Sequence, residues 1–385
     1  MKFTSLGAGL RLHLLSLLVA GATLAQSTAT LDETARFLAG LAVDGHLAAR
    51  TTDPAWQQHA RAMDEAWSRK EAEQILPIRD WMLNHAETHY RTTGTMYYMF
   101  GGPDFLYANI FFPDASNYIL AGLEPVGEVP DLVAMPPEQL AAELAALRTS
   151  MNSILRFQYF ITKDMKQELA RGGLGGTMPI LYVFLARLGY TVNDVSRVSS
   201  PADGVRITFG HLAEERSQTL HYFRTDLSGG GQSAFLKWCA ARGPGVSLLK
   251  AASYLLHTGG FNGVQKFLLE NSRVIVQDDS GIPLRAFPKG WRVDVHGRYI
   301  PHGEMFGKYY QADLAAVFAE NPGPELGFAF GYHWQKDRGV LLLATKGGAA
   351  AATPETPLRA EPVEVRKALP PGDEPTPAPN PRSRR

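Results

Sequence analysis

Residues 95–123 constrain the fold of this chain more than any other segment. An apolar and aromatic run over 96–100 ends in Gly101, Gly102, Pro103 and Asp104; a helix-compatible stretch then reaches Phe112, and a second apolar run covers 117–123. Strand, turn, helix and strand within about 30 residues is the size of a βαβ unit. Parallel strands joined in this way are covered by helices on both faces. The expectation is an α/β fold with a mixed, central sheet flanked by helices and preceded by an N-terminal helical layer.

The rest of the chain is read around that unit. Thr30 and Glu33 have capping-box spacing ahead of the stripe Leu31, Ala35, Leu38, Leu41 and Ala42. Asp53 followed by Pro54 marks a second helix start, running to about residue 87. Helical spacing of Leu140, Leu144, Leu147, Met151, Ile154 and Leu155 predicts a helix after Pro137 that continues toward Leu169 and stops at Gly172. Shorter helices are expected from Thr177 to Gly189, at 232–241, 246–257 and 262–271, and over 305–318. Strands are expected at 190–198 and 273–277, with an antiparallel hairpin formed by 205–212 and 219–227. Alternation of Trp291, Val293 and Val295 with polar neighbours predicts a half-buried strand over 291–299. A closing hairpin is expected from 328–334 and 340–345.

At the N-terminus, Lys2 and Arg11 stand without an acidic residue before an apolar stretch over 14–22 and the small residues Ala20, Ala22 and Ala25. That is the order of a signal peptide. The stretch is interrupted by Ser16 and Gly21 and falls short of the ~20 apolar residues that span a bilayer. Residues 1–25 are expected to be cleaved, leaving one soluble α/β domain over 26–346, whose helical N-terminal segment covers 26–92, and a disordered proline-rich tail over 347–385. The destination is export, periplasmic or secreted. Cys239 is the only cysteine, so neither lipidation at the cleavage site nor an internal disulfide is available.

Basic and acidic residues number 38 each, and removing Lys2 and Arg11 with the leader leaves a slight acidic excess. Binders of a phosphate backbone carry a concentrated basic excess, so nucleic acid is not an expected partner. No transmembrane segment follows the leader, and the oligomeric state is not legible.

Open α/β sheets bind ligands beyond the carboxyl ends of their strands, and the polar residues at those predicted ends are the candidates. Asp278, Asp279 and Asp104 are the candidate catalytic residues, with Glu124, Ser280 and His257 as candidate ligand-binding residues. Adjacent carboxylates at a strand end repel unless a positive group or solvent relieves them, which singles out Asp278 and Asp279. Each of these turns also has a local explanation, because aspartates in Gly-Pro-Asp and Asp-Asp-Ser-Gly accept bonds from neighbouring amides, and Asp104 suits the start of the next helix.

The Gly101–Gly102 turn with Glu124 roughly twenty residues later is similar to the glycine turn and ribose-binding acid of dinucleotide folds, but the spaced third glycine is missing. It supports βαβ geometry, not a cofactor. Gly172, Gly173, Gly175 and Gly176 lead into a helix start without the lysine of a phosphate loop. The histidines lack metal spacing, no Gly-x-Ser-x-Gly elbow is present, and Cys239 reads as core. No metal and no cofactor can therefore be assigned. The leading expectation is a binding or accessory protein of the periplasm or cell surface. The alternative is a carboxylate- or metal-dependent hydrolase acting on an envelope or extracellular substrate.

Overall fold

The computed structural model describes residues 29–85, 94–157, 174–211, 216–229, 233–300, 307–320, 322–332 and 339–347. Residues 1–25, expected to be a leader, residues 348–385 of the expected tail, Leu169, Gly172 and Gly173 lie outside them. The protein is α/β, with a nine-stranded mixed sheet flanked by helices and an N-terminal helical region.

The helical region holds α1 (Leu31–Leu38), α2 (Pro54–Lys70) and α3 (Leu76–His85). Thr30 caps α1 by accepting the Glu33 amide at 3.1 Å. Only half of the capping box forms, because the Glu33 carboxylate turns away to accept the Leu47 amide at 2.5 Å. Asp53 caps α2 through the Ala55 amide, with Pro54 in the first turn. Between α2 and α3 a π-turn covers Glu71–Ile75. Pro77 explains it: a proline offers no amide hydrogen and crowds the carbonyl four residues back, so the ladder widens by one residue there.

The strands are β1 (Thr95–Tyr98), β2 (Asn117–Gly122), β3 (Thr191–Val198), β4 (Asp203–Gly210), β5 (Ser217–Arg224), β6 (Gly245–Leu249), β7 (Ser272–Gln277), β8 (Trp291–Gly297) and β9 (Val340–Lys346). Their order is β3-β4-β5-β2-β1-β6-β7-β9-β8. The five central strands, β5, β2, β1, β6 and β7, run parallel. Antiparallel strands complete both edges, β4 and β3 beside β5 and β9 and β8 beside β7.

The expected βαβ unit is β1, α4 (Phe105–Phe111) and β2. Successive strand residues face opposite ways, and the two faces build separate cores. Met96, Tyr98, Tyr118, Leu120, Val246 and Leu248 pack with α4, the N-terminal helices, α5 (Pro137–Asn152) and α6 (Met178–Arg187). Tyr97, Met99, Ile119, Leu249 and Ile275 pack with α7 (Ala234–Ala240) and α8 (Asn262–Asn271) on the other face. The last helix is α9 (Ala312–Glu320).

Three expectations are corrected. Residues 246–257 are not a helix: β6 occupies Gly245–Leu249, and only Leu255–His257 makes a short 3-10 turn. Val246, Ser247, Leu248 and Leu249 are buried on both faces of a central parallel strand, and a continuous apolar run has no period with which to distinguish strand from helix. The helix expected over 305–318 starts only at Ala312, after a 3-10 turn at Gly307–Tyr309. Residues 328–332 form no strand; β9 pairs instead with β7 and β8.

The glycines before α6 also have a steric explanation. Gly176 takes φ +91°, and a Cβ there would collide with the Gly127 backbone, so the residue allows two chain segments to touch rather than cradling an anion. Cys239 is buried in α7, and burial pushes its thiol up to about 12.

Candidate functional site

The β1–α4–β2 crossover lies on one face of the sheet, while the β6–α8–β7 crossover lies on the other. The chain segments leaving β1 and β6, which are neighbours, therefore diverge. Such a switch point is where open α/β sheets form crevices, and here a charged cluster fills it.

Its centre is Lys250, the residue after β6. The Lys250 ammonium lies 3.3 Å from the Asp104 carboxylate, and both side chains are buried. Lys250 Nζ also sits 3.9 Å from the centroid of the Tyr107 ring. Asp104 is held by two further donors. It caps α4 by accepting the Tyr107 amide at 3.1 Å and accepts the Tyr98 hydroxyl at 3.0 Å. Burial beside Asp104 raises the Tyr98 and Tyr107 hydroxyls well above their ordinary range. Burial lowers the Lys250 ammonium, opposed by Asp104 and Asp278.

Asp278 follows β7 and reaches the same place. One carboxylate oxygen accepts the Ser280 amide at 3.1 Å and its hydroxyl at 2.6 Å, and the other accepts the Ala251 amide at 3.0 Å. Ser280 Oγ accepts the Ala252 amide at 2.7 Å. These bonds hold a strained segment: Ala251, Ser253 and Tyr254 all have left-handed φ, at 52°, 56° and 55°. That conformation costs about 1–3 kcal/mol for each non-glycine residue and persists only where neighbours enforce it. Burial raises the Asp278 carboxyl against those hydrogen bonds and the Lys250 charge.

Asp279 is turned toward a different set of groups. It accepts the Tyr254 hydroxyl at 2.7 Å, and its carbonyl accepts the Gln311 side-chain amide at 2.9 Å. Tyr254 stacks on Tyr309 with centroids 4.8 Å apart, and His257 meets Tyr254 edge-on at 5.2 Å. Burial pushes His257 down to about 4, assisted by Arg285. His257 Nε2 is buried without a hydrogen-bond partner among the described residues.

Of the six sequence candidates, Asp104 and Asp278 thus converge on one lysine. Ser280 and Asp279 adjoin them in the same turn, and His257 stands behind Tyr254. Glu124 joins Tyr222 instead, whose hydroxyl donates to the Glu124 carbonyl at 2.9 Å and carboxylate at 3.2 Å. Among the described residues no group of three or more His, Cys, Asp or Glu side chains is arranged to hold a metal ion.

Two lysines at the centre of the site escaped the sequence reading. Lys250 was hidden by the mistaken helix over 246–257, which removed the strand end that exposes it as a candidate. Lys70 had a visible signal: it continues the buried α2 stripe of Trp56, His59, Met63 and Trp67. A lysine on an apolar stripe is rare unless paired. Lys70 is 2% exposed, and its Nζ lies 5.8 Å from the centroid of the same Tyr107 ring that carries Lys250. Burial and the Lys250 charge push Lys70 down to about 7, opposed by Asp104 and Glu73.

Beside the cluster a groove of about 1190 Å³ opens between the π-turn and the β8–α9 region, with Glu73, Arg298, Tyr299, Tyr310, Phe318 and Phe328 among its walls. It lies at the carboxyl edge of the parallel strands, because β8 runs parallel to β7 and Gly297 ends it opposite Val340. Tyr299 connects the two places: its hydroxyl accepts the Gln311 amide at 3.1 Å, and Gln311 holds the Asp279 carbonyl.

Fold and site together define a doubly covered, mixed α/β protein with an ionic switch-point cluster and an adjoining strand-end groove. No family model matches the chain, and neither the curated proteins nor the solved structures contain a match to it.

Proposed function

We propose that the protein is exported and works as a periplasmic or secreted binding protein, holding a small ligand in the strand-end groove. The observation that carries this reading is the groove itself: it is an open cleft somewhat larger than the ~300–1,000 Å³ common for small-molecule pockets, and it stands where α/β sheets place ligands. Tyr299, Tyr310, Phe318 and Phe328 supply an apolar wall, and Glu73, Arg298 and Glu325 supply charges of both signs. A ligand with an apolar ring or chain and a polar end suits that lining. The export half of the reading rests on the leader pattern, with cleavage after Ala22 or Ala25.

Two measurements test it. A melting-temperature screen against envelope metabolites is expected to find a ligand that raises Tm by several degrees, since binding to the folded state stabilises by mass action. Ala315 lines the groove, and Ala315→Trp is expected to abolish that rise while leaving the unliganded protein folded. A screen without any shift argues against the binding role. N-terminal sequencing of protein recovered from outside the cytoplasm is expected to begin after residue 22 or 25; an intact Met1 there or retention inside the cell removes export.

A second reading, a carboxylate-dependent hydrolase acting on an envelope or extracellular substrate, is favoured by the convergence of Asp104 and Asp278 on Lys250. It requires these enclosed side chains to become accessible. Replacing Asp278 and Asp279 with asparagine separates the readings, since turnover vanishes only if the carboxylates do the chemistry.

A further inference from the structure

Lys70 has no hydrogen bond or ion pair with any described residue, although its side chain is 2% exposed. Enclosed charges elsewhere in the cluster are matched: Lys250 pairs with Asp104, and Asp278 is saturated by two amides and a hydroxyl. Lys70 is left over. A buried ammonium without a counter-charge is costly enough that the amine sheds its proton instead. The nearby charges all bear on it: Lys250 opposes protonation, whereas Asp104 and Glu73 favour it. Asp278 acts more remotely, through Lys250, and Tyr98 and Tyr107 stay protonated.

We propose that Lys70 is a carboxylation site, at which its Nζ takes up carbon dioxide to form a carbamate facing the Lys250 charge. The requirements are a neutral amine, a reactant small enough to enter a closed cluster, and a cation to receive the new anion. The first is met by the absence of an ion-pair partner among the described residues, the second by the size and neutrality of carbon dioxide, and the third by Lys250, which lies over the same Tyr107 ring and already pairs with Asp104. In the reaction the Nζ lone pair forms a C–N bond to the carbon of carbon dioxide. One C=O π pair moves onto oxygen, and the nitrogen releases a proton to solvent. The products are the lysine carbamate anion and one proton, with nothing oxidised or reduced. This inference does not depend on the ligand-binding reading.

The full mature protein is equilibrated with carbon-13-labelled bicarbonate and carbon dioxide at fixed partial pressure and then treated with a trialkyloxonium salt, which esterifies carbamates. Peptide mass spectrometry is expected to find the trapped label on Lys70 well above the level on exposed Lys266, and a carbon-13 carbamate resonance absent from Lys70→Met. At fixed carbon dioxide pressure the signal should fall at least about tenfold for each pH unit below 7, as the amine takes up its proton. Carbon dioxide is also expected to raise Tm of the wild type and not of Lys70→Met at matched pH and ionic strength. Equal labelling of Lys70 and Lys266, or a resonance that survives in Lys70→Met, overturns the proposal.

Discussion

Lys70 is drawn into the interior by the helical stripe that also buries Trp56, Met63 and Trp67, and the free-energy consequence can be signed. Its pKa is about 7 in the folded protein, against an ordinary 10.5, so between those values the unfolded chain binds a proton that the native state does not. Stability must then rise with pH from about 7 upward, by as much as about 1.4 kcal/mol per pH unit. Below pH 7 the penalty is fully present and constant. The rise is visible only to about pH 10, where tyrosines such as Tyr98 and Tyr107, held protonated by burial, begin to favour the unfolded chain. Lys70→Met removes the titrating group and retains much of its volume. It is expected to gain a few kcal/mol at pH 7 and to lose the rise, as measured by urea unfolding at a series of pH values. Lys250→Met should do the opposite, losing about 3–5 kcal/mol because it leaves the buried Asp104 charge without its cation. The same experiment at pH 7 checks both signs.

At the scale of elements, β6 is the strand on which the site turns. It stands between β1 and β7, and its end places Lys250 over α4 and the segment 251–254 against the Asp278 turn. Ser247 and Ser272 share a buried hydroxyl contact of 2.7 Å between β6 and β7. Replacing either serine alone with alanine strands the other and should cost about 1–3 kcal/mol, whereas the double replacement should cost less than the two single changes added together. A double-mutant cycle by denaturant unfolding reads this coupling, and additive losses would contradict the pairing. The contact between the 127 and 176 segments makes a second, independent prediction. Gly176→Ala introduces a Cβ into the Gly127 backbone at φ +91°, so a loss of more than about 1 kcal/mol is expected in the same assay.

For the whole molecule, the sheet order predicts a gradient of local stability. The parallel centre is covered on both faces, while β3 and β8 are half-exposed edges. Native-state amide exchange should be slowest in β1, β2, β6 and β7 and fastest in β3 and β8; uniform protection would contradict this layering. Much of the architecture was legible along the chain. The βαβ unit, the β4–β5 hairpin, both capped N-terminal helices and the strand ends carrying Asp104 and Asp278 follow from turn residues and periodicity, which are local properties. A fully buried strand carries no such period, so β6 resembled a helix and Lys250 passed unnoticed. Sequence by itself determined the α/β class and the acidic turns, because caps, prolines and glycines act within a few residues of themselves. Only tertiary structure decided that Asp104, Asp278, Lys250 and Lys70 meet while Glu124 turns to Tyr222, since strand order and the choice of sheet face are set by packing between segments far apart in the chain.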